Sequence, residues 1–115
     1  SIFHSSLSNH VTAHRFLYDR VSLTLPATPD DTLPTNERIL RFTQQESPAL
    51  AALYYNYGRY LLISSTRPGS LPPNLQGLWA NGVSTPWNGD YHTNINIQMN
   101  TGLWNKPVFP NSINR

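Results

Sequence analysis

A chain of 115 residues, 38% hydrophobic and only 12% charged, has material for one core at most, so any large enzyme architecture can be only partly present. Its eight basic and six acidic residues, a formal net charge of +2, lack the run of Lys or Arg that neutralises successive phosphates, and no nucleic-acid partner is expected. No stretch approaches the ~20 apolar residues that span a bilayer, so no membrane partner is expected either, and the absence of cysteine excludes a disulfide framework and a thiolate metal site.

The first residues, with His4 and His10 among serines, do not read as a charged-then-apolar targeting signal, and the natural start is expected to be missing. Residues 8–21 offer Asn9 as a cap and then His14, Leu17, Tyr18 and Val21 at helical spacing, with Phe16 off the stripe, which predicts a short helix. Val21-Ser22-Leu23-Thr24-Leu25 alternates strictly and predicts a brief strand ending at Pro26. Residues 27–33, with Pro29 and two aspartates, read as an exposed loop.

A second short helix is predicted over residues 37–45, started by Thr35 or Asn36 and burying Ile39, Leu40 and Phe42. The clearest element follows. Ser47 is a helix cap, Pro48 suits the first helical position, and Leu50, Leu53, Tyr54, Tyr57 and Leu61 form a stripe expected to pack. That helix must stop before Arg67-Pro68-Gly69, because proline lacks the donor and glycine permits the turn.

Residues 70–91 hold Pro72, Pro73, Pro86, Trp79 and Trp87 without a sustained period and predict a long aromatic loop. Residues 94–100 alternate Ile95, Ile97 and Met99 with Asn96, Gln98 and Asn100, a pattern that would suit a strand but uses residues unusual in one; periodicity does not decide. The tail from Thr101 to Arg115 shows no clear element, and there is no internal repeat.

The loop and the segment after it concentrate neutral amides, one imidazole and two indoles. A sugar offers hydroxyls at its edge and weakly polar C–H groups on its face, so a site for it needs amides for the edge and a flat aromatic wall for the face. Asn, Asp and Gly also dominate ordinary turns, and Trp79 and Trp87 also suit a core, so composition leaves both readings open. His92 can be a sugar donor, an acid/base group or a structural residue; with no second ligand at suitable spacing, no metal is expected, and no cofactor motif is visible. Glycosidases ordinarily use two carboxyl groups. Of the acidic residues Asp19, Asp30, Asp31, Glu37, Glu46 and Asp90, only Asp90 lies in the aromatic loop, and the others suit helix starts and exposed turns.

Several segments match one family in order: the helix and its exit over residues 48–69, then Leu71-Pro72-Pro73-Asn74-Leu75-Gln76-Gly77-Leu78-Trp79, then Pro86-Trp87 through Met99-Asn100. With Asp19-Arg20-Val21-Ser22-Leu23 and Leu33-Pro34-Thr35-Asn36-Glu37-Arg38, they resemble the family 95 glycoside hydrolases, the α-L-fucosidase family, over roughly residues 11–100. The resemblance implies a mainly α chain forming part of an (α/α)6 barrel, a six-hairpin toroid, with long Pro/Gly/aromatic loops. It divides the chain into a linker segment over residues 1–33, the first barrel helices and sugar-site loop over 34–100, and a divergent tail over 101–115.

The same resemblance implies inverting hydrolysis of terminal α-L-fucosides, with fucosylated glycan as partner and secretion as the family habit. Some members of the family prefer α-L-galactosides. In that family an asparagine side-chain oxygen holds the attacking water and a distant aspartate makes the amide basic. Carried onto this sequence, Asn96 holds the water and Asn94 assists it, with His92, Trp87 and Gln76 as sugar contacts. The aspartate and the acidic glutamate are expected outside this chain, in the missing remainder of the catalytic domain, so a truncated piece unable to turn over alone is expected. A non-catalytic sugar-binding remnant or an interaction fragment is the alternative.

Overall fold

The computed structural model describes residues 1–102, and these are mainly helical, with no strand among them. Four α-helices follow one another: α1 (Ile2–Tyr18), α2 (Thr35–Phe42), α3 (Pro48–Ser65) and α4 (Asn96–Gly102). Short 3₁₀-type turns occupy Pro29–Thr32 and Pro86–Gly89. The described residues divide into two compact units, one made of Ser1–Val21 with those from Arg59 onward, the other of Ser22–Gly58. Helix α3 supplies residues to both.

In the first unit, His14, Leu17 and Tyr18 of the predicted stripe pack, whereas Val21 lies beyond the end of α1 at Tyr18. Leu17 is buried against Ile63 of α3, with Tyr18 beside them, while Phe16 is exposed. His14 stacks on Tyr18 and lies against Tyr60, each at 5.6 Å between ring centres. The helix nevertheless starts earlier than predicted, because Ser1 rather than Asn9 accepts the free N–H of the first turn, from His4 at 3.5 Å. A carbonyl at its C-terminus and one just beyond it are met from α3: the Arg59 guanidinium donates to the Tyr18 carbonyl at 2.9 Å and to that of Val21 at 2.6 Å, and lies 4.9 Å from the Tyr18 ring centre.

The second unit is organised by Asp31. Its carboxylate accepts from the Thr28 N–H at 2.7 Å, pairs with Arg38 of α2 at 2.7 Å and accepts from the Ser47 hydroxyl at 3.4 Å. Ser47 in turn accepts from the Leu50 N–H at 3.2 Å, as its role of cap requires. The loop predicted over residues 27–33 is therefore an ordered turn. Asp30 is paired with Arg41 at 3.3 Å.

Three expectations are corrected. The strand over 21–25 does not form: the Val21 carbonyl is taken by Arg59 and the Leu23 carbonyl by the Asn56 amide at 3.0 Å, so helix side chains satisfy the backbone groups that a neighbouring strand would have met. Helix α2 is capped at Pro34 without a side-chain bond, ends at Phe42, and leaves Ile39, Leu40 and Phe42 exposed. In α3 the buried face is Ala52, Arg59, Leu62, Ile63 and, just past its end, Thr66, whereas Leu53, Tyr54 and Tyr57 of the predicted stripe are exposed. The helix is apolar on both sides, and only one of them packs here. Its end falls at Ser65, before Arg67-Pro68-Gly69 as predicted; Gly69 takes φ +85° while the Ser70 N–H donates to the Arg67 carbonyl at 2.9 Å, a turn that places proline second and glycine third.

Candidate functional site

The turn after α3 delivers the chain into residues 71–79, which fold on themselves around Asn74. The Asn74 side-chain oxygen accepts from the Gln76 N–H at 2.9 Å and its carbonyl accepts from the Gly77 N–H at 3.2 Å. Gly77 must be glycine for two reasons: its φ is +59°, and a methyl group there would lie 2.9 Å from the Trp79 ring. Trp79 therefore folds back over the turn and is half-exposed, a packing role with one open edge.

The next turn, Pro86–Gly89, carries three successive left-handed residues: Trp87 at φ 50° and ψ 31°, Asn88 at φ 54° and ψ 14°, and Gly89 at φ 61°. Glycine bears this without cost and asparagine tolerates it, but Trp87 is strained by roughly 1–2 kcal/mol. Strain of this kind persists where surrounding structure fixes it and concentrates at functional sites. The Trp87 side chain is 73% exposed, so it is presented rather than packed.

The two turns lie against each other. The Leu75 N–H donates to the Asp90 carbonyl at 3.4 Å, and the Tyr91 hydroxyl donates to the Pro72 carbonyl at 2.8 Å. At Gly89 a methyl group would sit 3.3 Å from the Thr85 hydroxyl, 3.5 Å from the Asn74 amide nitrogen and 3.7 Å from Cγ of Gln76. The fold thus brings Gln76 against the turn that bears Trp87.

His92, Asn94 and Asn96 are gathered where the chain enters α4, so this segment is a turn and a helix, not a strand. The His92 carbonyl accepts from the Ile97 N–H at 3.0 Å and the Ile95 carbonyl from the Met99 N–H at 2.8 Å; the Gln98 amide donates to the Thr93 carbonyl. His92 and Asn96 are half-buried, whereas Asn94 is exposed. Among the described residues no carboxylate bonds to either asparagine side chain, and no group of three His, Cys, Asp or Glu side chains could hold a metal. Chemically the assembly offers neutral hydrogen-bonding groups and one exposed indole face, which suit an uncharged polyhydroxylated ligand.

Sequence reasoning missed Asn74 and Tyr91 as members of this assembly. The first had a signal, since asparagine followed three residues later by glycine is the composition of a tight turn. The second had none, because its partner is a carbonyl 19 residues away.

Residues 3–106 match the sequence model of the glycosyl hydrolase family 95 catalytic domain, a match that runs past Asn100. The chain is 50% identical over 95 residues to the probable alpha-fucosidase A of Aspergillus niger, covering 81% of this chain and 12% of that protein. It is 43% identical over 98 residues to the alpha-L-fucosidase 2 of Arabidopsis thaliana, again 81% of this chain and 12% of the relative. A third similarity, 42% over 101 residues, is to the probable alpha-fucosidase A of Aspergillus oryzae, covering 84% of this chain and 14% of that protein. The chain thus spans about an eighth of the length of these relatives.

Proposed function

Because this chain belongs to glycoside hydrolase family 95, we propose that it supplies one wall and the amide half of water activation in an inverting α-L-fucosidase. The observation that carries this reading is the cluster at the start of α4, with Asn96 and His92 half-buried and Asn94 beside them, in a segment matching the family's catalytic domain. The Asn96 side-chain oxygen holds the attacking water, Asn94 orients it, His92 and Gln76 bond to sugar hydroxyls, and the exposed Trp87 indole receives the sugar face.

A neutral carboxamide is a weak base and accepts a proton in the transition state only when a hydrogen-bonded carboxylate polarises it. That carboxylate and the acid that protonates the leaving oxygen come from outside these 115 residues. Asp30 and Asp31 are already engaged by Arg41 and Arg38. Inversion requires the two groups to sit far enough apart, roughly 6.5–9.5 Å between carboxyls in ordinary inverting enzymes, for a water to fit between base and sugar.

In this reading residues 34–100 form the first helices and sugar-site loop of an (α/α)6 barrel, residues 1–33 lead into it, and 101–115 form the tail. The exposed apolar side chains of α2 and α3 support it, since helices of such a barrel pack on two neighbours. The partner is a fucosylated glycan. Secretion fits that partner, and no helix of the described residues is long and apolar enough to cross a membrane.

Hydrolysis of a fucosyl-α-1,2-galactoside, measured beside Asn96→Ala, tests the assignment. In the protein that contains both carboxyl groups, the variant should lose at least about a hundredfold in kcat with little change in KM; undiminished kcat removes Asn96 from water activation. The chain by itself should release no fucose. A second reading, sugar binding without catalysis, is favoured by the exposure of Trp87, and saturable fucose binding to the chain, abolished in Trp87→Ala, would support it.

A further inference from the structure

The left-handed turn at Trp87 is not explained by its own backbone bonds. The Asn88 N–H donates to Thr85 and the Asp90 N–H to Trp87, but bonds between residues three apart close turns of either hand. What distinguishes this turn is its contact with residues 72–76. The Tyr91 hydroxyl is anchored on the carbonyl of Pro72, in a Pro-Pro pair whose backbone is stiff. Asn74 has its oxygen fixed by the Gln76 N–H, and its amide nitrogen stands 3.5 Å, ordinary van der Waals contact, from where a methyl group on Gly89 would lie. The Leu75 N–H bond to the Asp90 carbonyl is the second hydrogen bond that joins the two turns.

We infer that Tyr91 and Asn74 are positioning residues, which clamp the turn in its left-handed form and so hold the Trp87 indole outward as the flat wall of the sugar site. The use of that wall rests on the function proposed above; the clamp itself does not. An indole held in advance needs no ordering when a ligand arrives, so loosening the clamp weakens binding more than chemistry.

Fluorine NMR of protein labelled with 5-fluorotryptophan tests the clamp without any sugar, the Trp87 resonance being identified by its loss in Trp87→Phe. Tyr91→Phe removes a single oxygen and should shift or broaden the Trp87 resonance while leaving that of Trp79 in place; Asn74→Ala, which also loosens the turn under Trp79, should move the resonances of both tryptophans. A Trp87 resonance unchanged in both variants overturns the inference. In the protein that contains both carboxyl groups, Tyr91→Phe should raise KM for an α-L-fucoside about tenfold with kcat within about twofold, and should add nothing to Trp87→Ala. Additive effects in the double variant would show that Tyr91 does not act through Trp87, and would overturn it too. A shifted Trp87 resonance in a protein that contains both carboxyl groups yet neither binds nor cleaves a fucoside leaves the clamp standing and removes the sugar reading alone.

Discussion

Arg59 is the most informative single residue outside the site. It is only 1% exposed, yet its charge faces no carboxylate among the described residues; two main-chain carbonyls and the face of Tyr18 take its place. Hydrogen bonds from a charged donor contribute about 1.5–3 kcal/mol each, and their loss would strand the Tyr18 carbonyl at the end of α1 and the Val21 carbonyl just beyond it. Arg59→Leu should therefore speed hydrogen exchange in the last turn of α1 by roughly a hundredfold, at ~1.4 kcal/mol per tenfold, while the first turn of α3 keeps its protection. Unchanged exchange in α1 would show that the arginine fills space and no more. Nothing in the sequence marks this residue, since an arginine inside an apolar helix reads as solvent-facing until the carbonyls it meets are known. Asn94, Asn96, His92, Trp87 and Gln76 stood out instead because neutral amides and indoles are crowded into a short stretch matching one family.

Among the elements, α2 and the start of α3 depend on one carboxylate. The hydrogen bond from the Thr28 N–H, with the neighbouring Arg38 charge and the hydroxyls of Thr28 and Ser47, holds Asp31 below its ordinary value of 3.8 against the opposing effect of burial. A depressed carboxylate contributes stability that is fully present above the unfolded value and lost as pH falls through the folded one. The amides of the Thr28 turn and the first turn of α3 should thus stay protected down to about pH 4 and lose protection below it. Asp31→Asn should abolish that acid step and lower protection already at neutral pH; an identical acid profile in the variant would count against the arrangement. The cap at Ser47 and the exit of α3 were legible because capping and proline chemistry are local. The choice of face in α3 was not, because a helix with apolar residues all round satisfies two spacings equally.

For the molecule as a whole, the described residues bury few large apolar side chains and expose many. Leu17, Leu62 and Ile63 are buried, whereas Ile2, Phe3, Leu40, Tyr54 and Met99 are each more than two-thirds exposed. Exposed apolar surface on this scale favours association and weakens cooperativity. The isolated chain should bind a hydrophobic dye and lose its helical signal gradually on heating; a sharp unfolding transition of a monomer would contradict this.

The sequence by itself determined what depends on near neighbours along the chain: the Ser47-Pro48 start and Pro-Gly stop of α3, the packing of Leu17 and Tyr18 on α1, and the family resemblance carried by segments over roughly residues 11–100. Tertiary structure decided which face of α3 is buried, that the Val21 and Leu23 carbonyls are met by helix side chains rather than by a strand, and that Asn74 and Tyr91 lie against the Trp87 turn. The reason is physical. A cap or a turn is completed within a few residues and leaves its mark in their order, whereas a carbonyl accepts from any donor within about 3 Å, and which donor arrives is fixed only when the chain has packed.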